Sequence, residues 1–394
     1  LRPGSLEESA TPLQSRRIDS IVGERGAIDA VNEQQRTEAV TKRGGDVARL
    51  TYSEAELMSN HAYARPHVIG GRRMHGGFDA VGTYIPPRAK GRNEALHAWT
   101  AALEERGGDL FAADASLLTG ARMPNVEQQR LLLRNGLGQT FWNGLTTTGK
   151  IEGRGRAIAE IKFPDLQKLV KEDISQMAIG HLNKGLLVAH GLDEGGEPDK
   201  NVGGHDVMWF VARDLVFDKN AYPDIEPPAN IARPEAGRRW MPEIAPEYEA
   251  MLSFLMNLLL IEFRAEIGFA NTQNVMRTPD LFVDRRAAAE EAAEIIERIR
   301  TDEEIHVRSL RLYIGELREL TLATVDGGEV RGATLIDRFW HGLLDWATVE
   351  QPRLVAMQQH ELIKARILAH PQGERVLREF DALSDLRPAV AAAG

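Results

Sequence analysis

The residues with the strongest chemical signal lie between positions 296 and 317. Taking every third or fourth residue there gives Ile296, Ile299, Glu303, His306, Leu310, Tyr313 and Leu317, the apolar seam of a helix that packs on other helices. An ionised carboxylate in such a seam is costly unless something pairs with it. Glu303 and His306, spaced i, i+3, project to the same side of the helix, so one metal ion would satisfy both. Tyr313, two turns beyond His306 in the same seam, is a candidate for the surroundings of such an ion. Asp302, Glu304 and Arg308 fall off the stripe, where solvent-facing charges belong.

A second seam reads Leu252, Leu255, Leu259, Glu262, Glu266, Phe269, Gln273. Two carboxylates one turn apart repel and push one pKa upward, a conflict that a bridging metal removes. A buried ion pair with Arg264 or a neighbouring helix is the alternative. Further upstream, Glu172 lies on the line Leu169, Glu172, Gln176, Ile179, Leu186, whereas Asp173 and His181 share a face with Leu166, Val170, Ile174 and Met177. Placing Glu172 on Glu262 puts Gln176 on Glu266, which favours Glu172 as a ligand with Asp173 next. His181 reads more readily as a core histidine bonded to a backbone carbonyl. His205 shares a face with Trp209, Ala212 and Val216 and points inward, while Asp206 caps the helix start or bonds a neighbour.

These residues need long helices to hold them. Periodicity predicts helices over 164–191, 204–219, 246–275 and 287–320, with a proline-rich excursion at 222–242 between the second and third and a turn at Thr278-Pro279-Asp280. Two helix pairs joined by a long crossover is the layout of a ferritin-like four-helix bundle, so the expected class is all-α. Flanking helices are expected near Trp99, at 126–137, at 335–346 and at 351–369, and the glycine-rich stretch 147–155 reads as a loop. Residues 1–95, poor in bulky apolar side chains, read as an extended arm with short helices that wraps the body or a partner subunit. The divisions expected are thus an arm (1–95), flanking helices (96–163), the bundle (164–320) and C-terminal helices packed on it (321–394).

Set in order, Glu172, His205, Glu262 or Glu266, and Glu303 with His306 resemble the ferritin-like di-iron carboxylate superfamily, in the branch of oxidases and oxygenases that includes ribonucleotide reductase small subunits, multicomponent monooxygenases and arylamine N-oxygenases. That family takes one Glu or Asp from each of two helices and Glu-x-x-His from each of the other two. The resemblance covers residues 164–320. Helix 287–320 fits the pattern, whereas Val202 stands three residues before His205 where a glutamate belongs. The departure argues against a ribonucleotide reductase and leaves Glu266, Asp173 or Asp206 to replace the missing carboxylate, or else a weakly held second ion or a mononuclear site. What the resemblance implies is two Fe ions, or Fe with Mn, with O2 as co-substrate, a small organic substrate, an external reductase or ferredoxin as electron donor, and a homodimer.

Composition narrows the alternatives. With 394 residues, 43% apolar and 27% charged, the chain can bury a large core. It has no cysteine, which excludes disulfides, thiolate zinc sites, Fe–S clusters and a cysteine nucleophile, so any metal must sit on carboxylates and imidazoles. The net charge of −10 is mixed in sign along the chain, against a nucleic-acid partner. The densest apolar run, 251–263, is broken by Ser253, Asn257 and Glu262, so no membrane span is expected and the cytoplasm is the default location. Neither a Gly-x-Gly-x-x-Gly, a Walker loop nor a Gly-x-Ser-x-Gly elbow occurs. Two further readings remain at this point: iron storage or peroxide scavenging, and a metal-free helical scaffold with buried ion pairs.

Overall fold

Two long helices carry most of the apolar periodicity. Helix α7 (Pro246–Met276) opens on a proline with Glu247 and Glu249 in its first turn, the residues a helix start favours. Helix α8 (Arg286–Glu319) follows. They run antiparallel: Gln273 Nε2 donates to Ala293 O at 2.9 Å, and eleven residues back along α7, Glu262 faces His306, thirteen residues on along α8. These two helices are part of a computed structural model that describes residues 49–118, 122–235 and 237–384. The described residues are 62% helix with few strands, and those from Leu50 onward belong to one compact unit. No helix among the described residues is long and apolar enough to cross a membrane.

Before α7 lie α1 (Glu54–Leu57), α2 (Ala89–Glu105), α3 (Val126–Arg134), α4 (Gln139–Gly155), α5 (Leu187–Gly195) and α6 (His205–Val216); after α8 come α9 (Gly332–Asp345), α10 (Gln351–Leu368) and α11 (Gly373–Ala382). Helix α4 overturns the expected loop at 147–155. Its glycines mark close approach rather than a turn: a Cβ on Gly149 would sit 3.0 Å from the Phe210 ring and 3.1 Å from Trp209 Cβ, and one on Gly155 would sit 2.7 Å from the Glu194 side chain. Thr146 Oγ1, accepting from Arg213 Nη1 at 3.1 Å, completes an antiparallel α4–α6 pair.

The helix expected over 164–191 is not continuous. Asp165 and Asp173 accept from the backbone N–H two residues on, at 3.2 and 2.8 Å, and such local bonds compete with helix formation. The segment instead pairs with strand β4 below, through Lys171 N to Thr321 O at 3.1 Å and Ala323 N to Leu169 O at 2.8 Å. After the turns at Ala178–His181 and Leu182–Leu186, with Gly185 at φ +101°, only α5 is a regular helix.

Residues 1–48 of the expected arm lie outside the described residues. Its later part holds the short helix α1 and the start of α2, and between them a hairpin: β1 (Arg65–Ile69) pairs antiparallel with β2 (Arg72–Phe78), which pairs with β3 (Tyr84–Ile85). Gly70 and Gly71, both at positive φ, make its two-residue turn. A second small hairpin, β4 (Thr321–Ala323) and β5 (Glu329–Arg331), follows α8. The proline-rich stretch 222–242 carries no helix or strand among its described residues.

Candidate metal centre

Seven side chains from five helices converge between α4, α5, α6, α7 and α8. They are Glu152 on α4, His190 and Glu194 on α5, His205 at the first residue of α6, Glu262 on α7, and Glu303 with His306 on α8. None is more than 7% exposed.

The donor atoms fall into two sets. In the first, His190 Nε2 lies 3.1 Å from Glu262 Oε1 and 3.5 Å from Glu194 Oε1, and His306 Nδ1 lies 3.2 Å from Glu194 Oε1 and 3.9 Å from Glu262 Oε1. In the second, His205 Nδ1 lies 3.2 Å from Glu303 Oε1, 3.5 Å from Glu194 Oε2 and 3.7 Å from Glu152 Oε2. Glu194 turns one oxygen to each set. Glu303 does the same, since its Oε2 reaches His306 Nδ1 at 2.7 Å. Metal–ligand bonds of about 2.0–2.2 Å keep neighbouring ligand atoms roughly 3–4 Å apart, the spacing found here.

Three features favour cations over ion pairing. His190 Nε2 and His205 Nδ1 are buried and make no hydrogen bond, although carboxylate oxygens lie 3.1 and 3.2 Å away. Lone pairs that approach so closely without aiming at one another converge on a third point. Next, among the described residues no Lys or Arg pairs with Glu152, Glu194, Glu262 or Glu303; Arg264 instead donates to Ile231 O and stacks over Trp346. Lastly, the four carboxylates and three neutral imidazoles carry the charge that two divalent ions cancel.

Each α8-side imidazole has a carboxylate behind it, the arrangement that orients metal-binding histidines. His306 Nε2 contacts Asp193 Oδ2 at 3.1 Å, and Asp193 in turn accepts from Arg88 and Arg92, each at 2.6 Å. His205 Nε2 contacts Asp302 Oδ2 at 3.2 Å. His190 stacks on His306 with ring centres 3.8 Å apart.

Without metal, protons hold this cluster. Burial pushes the Glu152 and Glu262 carboxyls well up, reinforced by the Glu194 and Glu303 charges. Burial opposes charge on His205 and His306 as well, but the Glu303 carboxylate and the bonds to Asp302 and Asp193 outweigh it, so both imidazoles stand well above their ordinary range. Burial and the His306 charge lower His190 to about 3, leaving a neutral ring. Ion uptake must release the bound protons.

Of the residues singled out from sequence, the structure brings together His205, Glu262, Glu303 and His306. Glu266, one turn further along α7, is exposed. Glu172 lies in the non-helical segment and accepts the Thr321 N–H at 3.0 and 3.1 Å, and Asp173 is exposed. His181 is a core histidine, its Nδ1 2.8 Å from Met177 O and its Nε2 accepting from Tyr52 N–H. Asp206 accepts from its neighbour's N–H at 2.6 Å, and Tyr313 packs in the apolar core, where burial pushes its phenol up.

The residues missed are Glu152, His190 and Glu194, with Asp193 and Asp302 behind them. Val202 occupies a turn closed by Glu197 N to Val202 O at 2.8 Å and precedes α6, so it is not one helical turn upstream of His205 as a Glu-x-x-His pair requires. Glu194 arrives from a separate helix instead, and the pair His190-x-x-x-Glu194 is the signal that would have found it. Asp302, expected in solvent, is 0% exposed because the β1–β3 hairpin covers that side of α8. No family model matches the chain, and neither a curated protein nor a solved structure does.

Proposed function

We propose that the chain is an O2-activating oxidase or oxygenase of the ferritin-like di-iron kind, with α4, α6, α7 and α8 as the four helices of the bundle and α5 inserted to supply His190 and Glu194. The observation that carries this reading is the pair of donor sets sharing both oxygens of Glu194 and of Glu303. Glu152, His190, Glu194, His205, Glu262, Glu303 and His306 would hold iron, alone or with manganese, and the ions would supply O2 reduction with electrons from an external reductase or ferredoxin. The chain's own part is to hold the ions close, keep water from the reacting atoms behind Leu, Phe and Trp side chains, and orient a small organic substrate. A homodimer is the assembly this reading carries with it.

Anaerobic loading with Fe2+ followed by exposure to air tests it. Two ions per chain and O2 consumption that stops when those ions are oxidised support the proposal. Continued uptake of iron into mineral favours storage instead. Protein that takes up no ion at all returns the cluster to a scaffold of buried charges.

A further inference from the structure

Behind His205, on the side away from Nδ1, the N-terminal hairpin makes five contacts that its distance in sequence does not suggest. Tyr84 Oη donates to Asp302 Oδ2 at 3.0 Å, the oxygen that His205 Nε2 contacts at 3.2 Å. His75 packs edge-on against the His205 ring, centres 5.1 Å apart and planes at 90°, and its Nε2 lies 3.1 Å from the same oxygen without lying on a hydrogen-bond line. The backbone of β2 then grips the residue two before His205's helix position: His75 N donates to Gly203 O, and Gly203 N donates to Arg73 O, both at 2.9 Å. Finally, Gly76 has φ +67°, and a Cβ there would sit 2.5 Å from Tyr84 Oη, so the hairpin leaves that hydroxyl its place by having no side chain beside it.

We infer that His75 and Tyr84 are positioning residues of the metal centre: through Asp302 they fix the ring of His205 so that Nδ1 faces Glu152, Glu194 and Glu303. The proposal rests on the dinuclear reading above and deepens it. The hairpin, which also sets Ile69 and Met74 into the core beside Trp209, is then the outer wall of one of the two ion positions. The other position has a different support, because Asp193 behind His306 is held by Arg88 and Arg92. Loss of the hairpin contacts should therefore weaken one ion and spare the other. Changes in residues that orient metal-binding histidines cost about 10- to 100-fold in affinity.

Anaerobic titration of the full chain with Co2+, followed by calorimetry and by visible absorption, separates the two positions. The wild type is expected to bind two ions. Tyr84→Phe and His75→Ala should each weaken one of them by about 10-fold or more, change the absorption of that ion alone, and leave the helix content of the metal-free protein by circular dichroism near wild type, and His75→Gln should recover part of the loss. Wild-type uptake of two ions with both variants unaffected, or with both ions weakened equally, overturns the positioning role alone. Three ions in the wild type would make His75 a ligand and overturn it too. A wild type that binds no Co2+ defeats the dinuclear reading and this inference with it.

Discussion

Helix α8 buries carboxylates at two levels, and they do opposite things. Around Glu303 the facing groups are the imidazole nitrogens His205 Nδ1 and His306 Nδ1, the first of which makes no hydrogen bond. Between three and four turns further on, Glu316 is 1% exposed and accepts from the backbone N–H groups of Ala178 and Ile179 at 3.2 and 3.0 Å, with Arg106 at 3.8 Å. Glu172 is engaged likewise by Thr321 N–H. A buried carboxylate is thus a structural acceptor where N–H groups meet it, and a ligand under the proposed function where imidazole nitrogens do. Burial alone does not distinguish the two.

The sharpest way to break this contrast is Glu194→Ala, which removes the carboxylate that turns an oxygen to each donor set. Metal analysis after loading should fall from two ions to fewer than one, with helix content by circular dichroism nearly unchanged. Two ions retained would move the bridging role elsewhere.

The Glu316 level should respond to pH instead of metal. Burial raises its carboxyl to about 7 despite the Ala178 and Ile179 bonds. A folded pKa above the unfolded one means the folded chain holds this proton more tightly. That stabilisation is complete below about 4.5 and is lost as pH rises through 7, a change of roughly 3 kcal/mol at about 1.4 kcal/mol per unit. Glu316→Gln should therefore leave the melting temperature near wild type at pH 5 and raise it at pH 8. An equal shift at both values would contradict the raised pKa.

Smaller effects are expected outside both levels. Glu172→Ala strands the Thr321 N–H and should cost about 1 kcal/mol in denaturant unfolding with no change in bound metal. Val202→Glu and Glu266→Ala should alter neither metal content nor affinity, since neither position belongs to the cluster. Tighter binding in the first of these would restore the reading in which 202 supplies a ligand.

What could be read from sequence follows how strongly each segment's pattern points one way. Helices α7 and α8 carry long apolar seams, so their ends fall within about two residues of expectation, and their polar interruptions at 262, 303 and 306 all lie in the buried cluster. Helix α4 was misread because Gly149, Gly153 and Gly155 signal a turn locally, whereas their use is tertiary, admitting Phe210, Asp206 and Glu194. The 164–181 stretch has a helical apolar pattern but loses to side-chain bonds from Asp165, Gln167 and Asp173. Asp302 defeated the seam argument for another reason. A stripe only reports burial by helices, and this face of α8 is covered by strands.

The spread of the ligands along the chain also bears on when the centre can come into being. Only His190 with Glu194 and Glu303 with His306 are neighbours in sequence; the whole set runs from position 152 to position 306. A growing or partly folded chain therefore offers an ion two-point half-sites at most, and these long-range contacts form only late in folding. An ion cannot template this fold as zinc templates a finger. Under the proposed function an ion would instead enter a site that folding has already assembled, and the choice between iron and manganese would fall to supply at the place where folding ends, with affinity order deciding only what remains.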